Sequence, residues 1–407
     1  MHDGHAELKF ISLSRIVVTG LGIISAIGEN VAANRSALIE GVCGIGKASL
    51  LQSKYVSELP FGEVPVSTAA LQGNLNAYEP GVTRTSLLAL HAFKEAIKNA
   101  ALSNEVIKEN ATAFINATTV GGMCLTDELY HDANLQEKGS EYLHSYDNAS
   151  VSLYLQKRFG LSGIINTINT ACSSAANAIM YGARLIQNGF AKRAIVGGTD
   201  SLAKFTINGF NALHILSGEA CKPFDESRDG LNLGEGAAYL ILEKEEDAKH
   251  KNHYALVKGF ANSNDAYHAS SLSENGDGPY LSMLGALQYA GLEASDIQYI
   301  NAHGTGTENN DEVESKAMLR LFGNPPAFSS TKSNTGHTLG AAGAVEAVYS
   351  ILSLYHQELY PEIHFTNPIA ATGLFPVASY GSYAIENVMS NSFGFGGNCS
   401  SLIFSKC

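Results

Sequence analysis

The chain has 407 residues, 45% of them hydrophobic and only 16% charged, a balance that excludes a disordered polymer and suits a large buried core. With 26 Lys and Arg against 39 Asp and Glu, its formal charge of −13 argues against a surface-wide nucleic-acid or anionic-membrane binder. No apolar run reaches the ~18–20 residues of a membrane span, and the six cysteines show no CxxC spacing, so reduced thiols in a cytoplasmic setting are expected.

In chain order, residues 1–15 place Asp3 and Glu7 ahead of any apolar stretch, which reads as a short solvated arm and not as a signal peptide. Residues 16–19 are the first apolar, β-branched strand. Gly20-Leu21-Gly22 then invites a dinucleotide reading. The third position of that fingerprint is Ser25, however, and the helical segment 32–40 follows with no strand ending in an acid, so a structural turn is the expectation. Further strands are expected at 112–116, 164–169, 194–197 and 297–301, with helices at 84–101 and 175–187. The second helix ends at Asn188-Gly189, as a helix C-terminus should. Strand–helix alternation predicts α/β architecture with buried, mostly parallel strands. Asn116-Ala117-Thr118 and Asn301-Ala302-His303 each follow an apolar strand and precede a glycine turn, and small-residue helices follow Thr170 and Thr335. A fresh strand at 254–262 divides the chain into halves 1–253 and 254–407, which suggests a duplicated α/β unit.

Cys172 stands apart from the other five cysteines. It lies in Asn169-Thr170-Ala171-Cys172-Ser173-Ser174, after a strand and at the start of a helix, where unpaired N–H groups and the helix dipole favour the nucleophilic thiolate. A buried cysteine at a tight packing point is the competing reading. His303, in Asn301-Ala302-His303-Gly304-Thr305-Gly306-Thr307, ends a strand and points into the crevice where open α/β sheets bind ligands. Thr305 and Thr307 are placed to bond an extended polar arm. Lys332 and His337 precede a Gly/Ala-rich helix that carries Glu346, and close backbone packing there leaves polar side chains little freedom. Cys172, His303 and His337 are metal-ligand types, but spacing does not support a metal and Lys332 nearby disfavours a cation. Asn391-Ser392-Phe393-Gly394-Phe395-Gly396-Gly397 alternates aromatic and glycine, as a turn-rich strand end or a mobile pocket-lining loop does.

Taken together, these segments resemble the elongating β-ketoacyl-[acyl-carrier-protein] synthases of the thiolase superfamily. The likeness runs from Arg15-Ile16-Val17-Val18-Thr19-Gly20-Leu21-Gly22 to Ser401-Leu402-Ile403-Phe404 and is most specific at 170–174, 301–307 and 332–346. Lys222-Pro223-Phe224-Asp225, Arg228-Asp229-Gly230 and Asp265-Ala266-Tyr267-His268 match as well. The resemblance implies an α/β, thiolase-like fold with a duplicated five-layered α/β/α/β/α core. It implies a decarboxylating Claisen condensation of a Cys-bound acyl group with malonyl carrier protein, in fatty acid or related polyketide or polyene biosynthesis.

In that scheme Cys172 is the nucleophile, the backbone N–H groups of Cys172 and Phe395 form the oxyanion hole, and His303 and His337 donate hydrogen bonds to the enolate. Lys332 and Glu346 orient the histidines, Thr305 and Thr307 hold the phosphopantetheine arm, and Phe393 and Phe395 gate the acyl pocket, whose far end is at Val120. The resemblance implies no bound cofactor, since substrates ride on the carrier's phosphopantetheine. A monovalent cation among Asn301, Ala302, Glu346, Ser390 and Asn391 comes with it. The implied partners are an acyl carrier protein and a second subunit, identical or closely related, paired through strand 164–169. No nucleic acid and no membrane are implied.

Two departures from the family pattern stand out: Asn398-Cys399 where Thr-Asn is usual, and His214 where Arg is common. With one positive charge in 71–84, the carrier-docking surface looks less basic than in housekeeping members and suggests a specialised pathway. The alternative is a catalytically silent chain-length partner, a type that normally lacks the nucleophile. A thiolase is disfavoured by Lys332 and by the Thr-Gly-His context of His337.

Overall fold

The strands in chain order are β1 (Ile16–Ser25), β2 (Thr112–Ala117), β3 (Ile165–Ile168), β4 (Arg193–Asp200), β5 (Gly236–Lys244), β6 (Ala255–Asn264), β7 (Tyr299–Asn301), β8 (Ala327–Ser329), β9 (Glu358–Leu359), β10 (Gly381–Ser382), β11 (Asn387–Phe393) and β12 (Asn398–Ser405). The helices are α1 (Val31–Ile39), α2 (Thr68–Leu75), α3 (Arg84–Asn99), α4 (Asn104–Ile107), α5 (Ser150–Phe159), α6 (Ser174–Gln187), α7 (Lys204–Ala212), α8 (Asp277–Ala290), α9 (Glu308–Phe322), α10 (Lys332–Thr335) and α11 (Ala342–His356). The computed structural model describes residues 14–125, 130–131, 135, 137, 140 and 142–407, so the expected arm at 1–15 lies outside the described residues except for Ser14 and Arg15. No helix among the described residues is long and apolar enough to cross a membrane.

Ten of the strands form one sheet in the order β3-β2-β4-β5-β1-β6-β12-β11-β7-β8. Its two halves repeat one topology. Counting each half's own strands from one to five, with β6, β7, β8, β11 and β12 as the second set, both read 3-2-4-5-1 outward from an edge to the centre. The two half-sheets meet at the β1–β6 pairing, Val17↔Leu256 and Val18↔Ala255. α3 and α5 cover the outer face of the first half, and α8, with α9 against it, covers the second, while α6 and α11 touch strands of both. The result is five layers, helix, sheet, helix, sheet, helix, with α6 and α11 in the middle.

The sheet departs from expectation in its polarity. Four pairings are parallel, β2–β3, β2–β4, β7–β8 and β7–β11, and five are antiparallel. The buried strands β1 and β5 run antiparallel, and because both of their faces are covered they lack the alternating pattern that normally betrays an antiparallel strand. Gly20 and Gly22 lie inside β1 and form no turn. A Cβ at Gly22 would sit 2.1 Å from the Ala92 carbonyl oxygen of α3, so glycine is required by close helix–strand approach.

The same requirement brings the chemistry together. α6 and α11 pack at their N-terminal ends, where a Cβ on Gly343 would lie 2.6 Å from the Ala176 backbone nitrogen. Cys172 precedes one of these helices and His337 the other.

Candidate active site

Cys172 occupies the turn between β3 and α6 and is 6% exposed. Ala171 before it is held at φ +52°, a left-handed conformation costly for alanine, which turns the thiol away from the strand path. Cys172, His303 and His337 each place a sulfur or ring nitrogen within 4.8 Å of the others. Their ligand types would suit a zinc ion. The Lys332 ammonium, 3.2 Å from His303 Nδ1, would face such an ion with like charge.

Burial pushes the Cys172 thiol up to about 11, while the Lys332 charge and the Phe395 backbone N–H pull it down by less. This corrects the expectation of a preformed thiolate. The helix N-terminus is partly spent, because the Ser174 N–H already bonds Ala171 O at 3.1 Å, and desolvation outweighs what remains.

The histidines are set by their second nitrogens. Lys332 Nζ, which has no acceptor lone pair, donates to His303 Nδ1 at 3.2 Å. The Leu339 backbone N–H donates to His337 Nδ1 at 3.3 Å. Both imidazoles therefore carry their proton on Nε2. Burial, and then the Lys332 charge, holds both well below the usual histidine range, so they are neutral. His337 Nε2 is buried and has no hydrogen-bond partner among the described residues. Two neutral N–H donors thus stand beside the thiol, free for a substrate oxygen.

Lys332, on α10, also donates to His303 O at 2.6 Å and pairs with Glu346 of α11. Burial pushes the Glu346 carboxyl up to about 7 against the attraction of Lys332. The His303 turn is gripped from behind by α9: Glu314 accepts the His303 and Gly304 N–H groups, both at 2.9 Å. Asp311 accepts those of Thr305 at 2.9 Å and Gly306 at 3.1 Å. Gly304, at φ +31°, leaves no room for a side chain between Phe224 and Ser330. Asp200, at the end of β4, accepts the Thr119 and Val120 N–H groups at 3.0 and 2.9 Å and that of Gly340 at 2.7 Å. It ties the turn after β2 to the turn after His337. Glu346 was singled out from sequence; Asp200, Asp311 and Glu314 were not. The Asp311–Glu314 pair was findable, because i, i+3 spacing right after Thr307 puts both carboxylates on one face of a helix.

A cavity of about 440 Å³ runs from the surface to Cys172, His303 and His337, lined on the way by His214, Thr305, Thr307, Phe393 and Phe395. The Thr305 and Thr307 hydroxyls bond each other at 2.8 Å. A second cavity of about 400 Å³ opens beyond Cys172 between Thr119, Met123, Phe205 and Leu339. Phe395 and Phe210 border both cavities with rings stacked at 5.7 Å, whereas Phe393 borders only the first, its ring 5.7 Å from that of His303. Phe210 is the partition residue that sequence reasoning missed.

Val120 is not at the end of either cavity. It is 1% exposed and packs with Phe61, Leu202, Ile207, Leu231 and Leu339, while its neighbours Thr119 and Met123 line the second cavity. Asn398 accepts bonds from Ser173 at 2.7 Å, Asn177 at 2.9 Å and Asn262 at 2.8 Å, so this departure anchors the cysteine turn to β12. Arg84, the one positive charge of 71–84, is turned inward onto Glu235 and the carbonyls of Val64 and Val66.

The expected cation residues contain three buried oxygens without a hydrogen-bond donor: Asn301 Oδ1, Glu346 Oε2 and Ser390 Oγ. Ser390 stands opposite Asn301 across the β7–β11 pairing. An all-oxygen set with one carboxylate fits a hard cation. The Asn391 side chain does not join it, being committed to Glu314 at 3.2 Å and Ser401 at 2.8 Å.

Comparison with known proteins agrees with this geometry. The profile of the β-ketoacyl synthase N-terminal domain matches residues 13–248, and that of the C-terminal domain matches residues 254–366. The 3-oxoacyl-[acyl-carrier-protein] synthase 2 of Staphylococcus aureus (strain COL) is 34% identical, over 96% of this chain and 98% of its own. The solved structure of the ishigamide ketosynthase/chain length factor superposes with a TM-score of 0.91 at 28% identity, covering 97% of this chain and 100% of that one. A type II polyketide ketosynthase solved with its acyl-carrier protein superposes at 0.86 and 28% identity, covering 97% and 100%.

Proposed function

This chain belongs to the β-ketoacyl synthase family, and from that premise we propose that it is a 3-oxoacyl-[acyl-carrier-protein] synthase, an acyltransferase that condenses a Cys-bound acyl group with a malonyl thioester. The observation that carries the reading is the pair of neutral imidazoles beside Cys172, each with Nδ1 occupied by a donor and Nε2–H left for substrate. In the first stage Cys172 Sγ attacks the acyl thioester carbonyl, with the backbone N–H groups of Cys172 and Phe395 on the oxyanion. The thiol proton leaves as the new C–S bond forms and ends on the departing carrier thiol. In the second stage the malonyl carboxylate leaves as CO₂, and the enolate oxygen is held by His303 and His337. The enolate carbon attacks the acyl carbonyl, the bond to Cys172 breaks, and the released thiolate takes up one proton per turnover.

Neutral donors suit this chemistry, because decarboxylation supplies the carbon nucleophile and no base is needed to make it. Lys332 and Glu346 act by holding His303. Thr305 and Thr307 are proposed to bind the phosphopantetheine arm, and the second cavity the acyl chain, with Phe210 and Phe395 between them. No cofactor takes part; a monovalent cation at Asn301, Glu346 and Ser390 would neutralise the buried Glu346 oxygen and hold it in place. A chain-length-type silent partner is not favoured, since the nucleophile and both donors are assembled. We infer an acyl carrier protein as partner, and a second subunit, identical or related, along the exposed edge of β3. There the Thr167 N–H points away from β2 and, among the described residues, is met only by Asn166 Oδ1 at 2.8 Å. A reducing compartment, the cytoplasm in this reading, suits a site that depends on a free thiol. The test is mass spectrometry after exposure to acyl carrier protein: the acyl mass should appear on the peptide with Cys172. Acylation elsewhere, or none with any acyl carrier, would overturn the assignment.

A further inference from the structure

Glu362 lies three residues beyond β9, lines neither site cavity, and is 4% exposed. Its Oε2 accepts the Ser330 N–H at 2.7 Å, and among the described residues its Oε1 makes no hydrogen bond, although the Ser333 hydroxyl favours the charged carboxyl. Ser330 is a hub. Its hydroxyl donates to Gly304 O at 2.6 Å and accepts the Lys332 N–H at 3.3 Å, while its carbonyl accepts the Ser333 hydroxyl at 3.0 Å. A single bond from Glu362 therefore restrains both the turn that carries His303 and the turn that carries Lys332. The same turn is also held by the Asn334 side chain, which donates to Val42 O at 2.9 Å, and by two long sulfur contacts, Cys221 Sγ to Lys332 O at 3.6 Å and Cys43 Sγ to Ser333 O at 3.7 Å, and none of these three reaches Ser330.

We propose that Glu362 is a positioning residue for decarboxylation, acting through Ser330 to hold Lys332 and the His303–Gly304 turn where both imidazole Nε2–H groups meet the substrate oxygen. The proposal rests on the functional reading above. A buried carboxyl with one oxygen unpaired costs the fold stability, and a residue kept only for packing would not carry that cost. Burial pushes Glu362 up to about 8, so at neutral pH it holds a proton and acts as a neutral acceptor. Gln has the same shape and the same acceptor.

The experiment compares Glu362→Ala and Glu362→Gln in the full chain by melting temperature, rate of Cys172 acylation, and CO₂ release from a malonyl thioester. CO₂ release should fall about 10- to 100-fold in the Ala variant, the scale of a small misplacement of reacting groups, with acylation within about twofold of wild type and Gln restoring release to within about threefold. Unchanged release in a folded Ala variant overturns the proposal. So does an equal fall of both rates, which marks a merely structural role, and so does a Gln variant as poor as Ala. Should Glu362→Ala not fold, Ser330→Ala cuts the hydroxyl link to Gly304 and must show the same selective loss; normal release there overturns the proposal too. A wild-type chain that neither acylates Cys172 nor releases CO₂ defeats the functional reading instead, so the two failures are distinct.

Discussion

Replacing His337 by Ala removes one of two hydrogen-bond donors without touching the nucleophile. His337 Nε2 has no hydrogen-bond partner among the described residues, so its N–H is uncommitted until substrate arrives. An oxyanion donor of this kind contributes ~2.7–4 kcal/mol to the transition state, so decarboxylation should slow by ~10²–10³-fold. The substitution also strips the acceptor from the buried Leu339 N–H, which bonds His337 Nδ1 at 3.3 Å, and should cost the fold about 1–3 kcal/mol. That cost lowers the melting temperature, but the lost bond is to Leu339 and not to the Phe395 or Cys172 N–H, so acyl transfer should stand. The assay is paired: CO₂ release from malonyl thioester, and the rate at which the acyl mass appears on Cys172, both well below the melting temperature. His337→Gln returns an N–H donor on a longer arm and should recover part of the loss. Equal loss in both assays, or normal CO₂ release in His337→Ala, would refute the assignment of His337 to the enolate oxygen.

Cys172→Ala should abolish the acyl-enzyme while CO₂ release survives, read by the same two assays. Because burial and Lys332 keep both imidazoles neutral, neither ring should titrate near 6.5 in a pH series of imidazole NMR spectra, and a ring that takes up a proton there would refute this; an inflection of CO₂ release near 7 should follow Glu346 instead. Glu362 is raised to about 8 in the folded state, above its unfolded value, so the folded chain binds the extra proton and this group's contribution is lost as pH rises through about 8. Glu362→Gln should therefore gain melting temperature over wild type between pH 6 and 9, measured by calorimetry, and a constant difference would contradict the shift. Thr119→Phe, in the second cavity, should block long acyl groups and spare short ones, whereas Val120→Phe overpacks the core by about 1–3 kcal/mol and should lower loading of every length alike. Thr167→Pro removes an edge N–H that faces away from β2, so it should shift sedimentation toward monomer while the melting curve stays cooperative.

Cys172, His303, Lys332 and His337 were legible in the sequence because each sits at a strand end or helix start, next to small residues that announce close packing. Residue type and local context suffice for such positions. The duplication was legible for a related reason, since each half needs the same strand, turn and small-residue helix to be built at all. Other features depend on groups far apart in the chain. Strand direction at β1 and β5 is a matter of long-range pairing, and strands buried on both faces carry no period that records it. The thiol's rise is decided by how completely the second half covers Cys172, which no dipole argument on residues 169–176 contains. Glu314, Asp311, Asp200 and Glu362 look like ordinary acids in sequence. Only the tertiary structure brings each against a buried backbone N–H, and it is long-range burial that turns an acid from a surface charge into the acceptor that holds a catalytic turn.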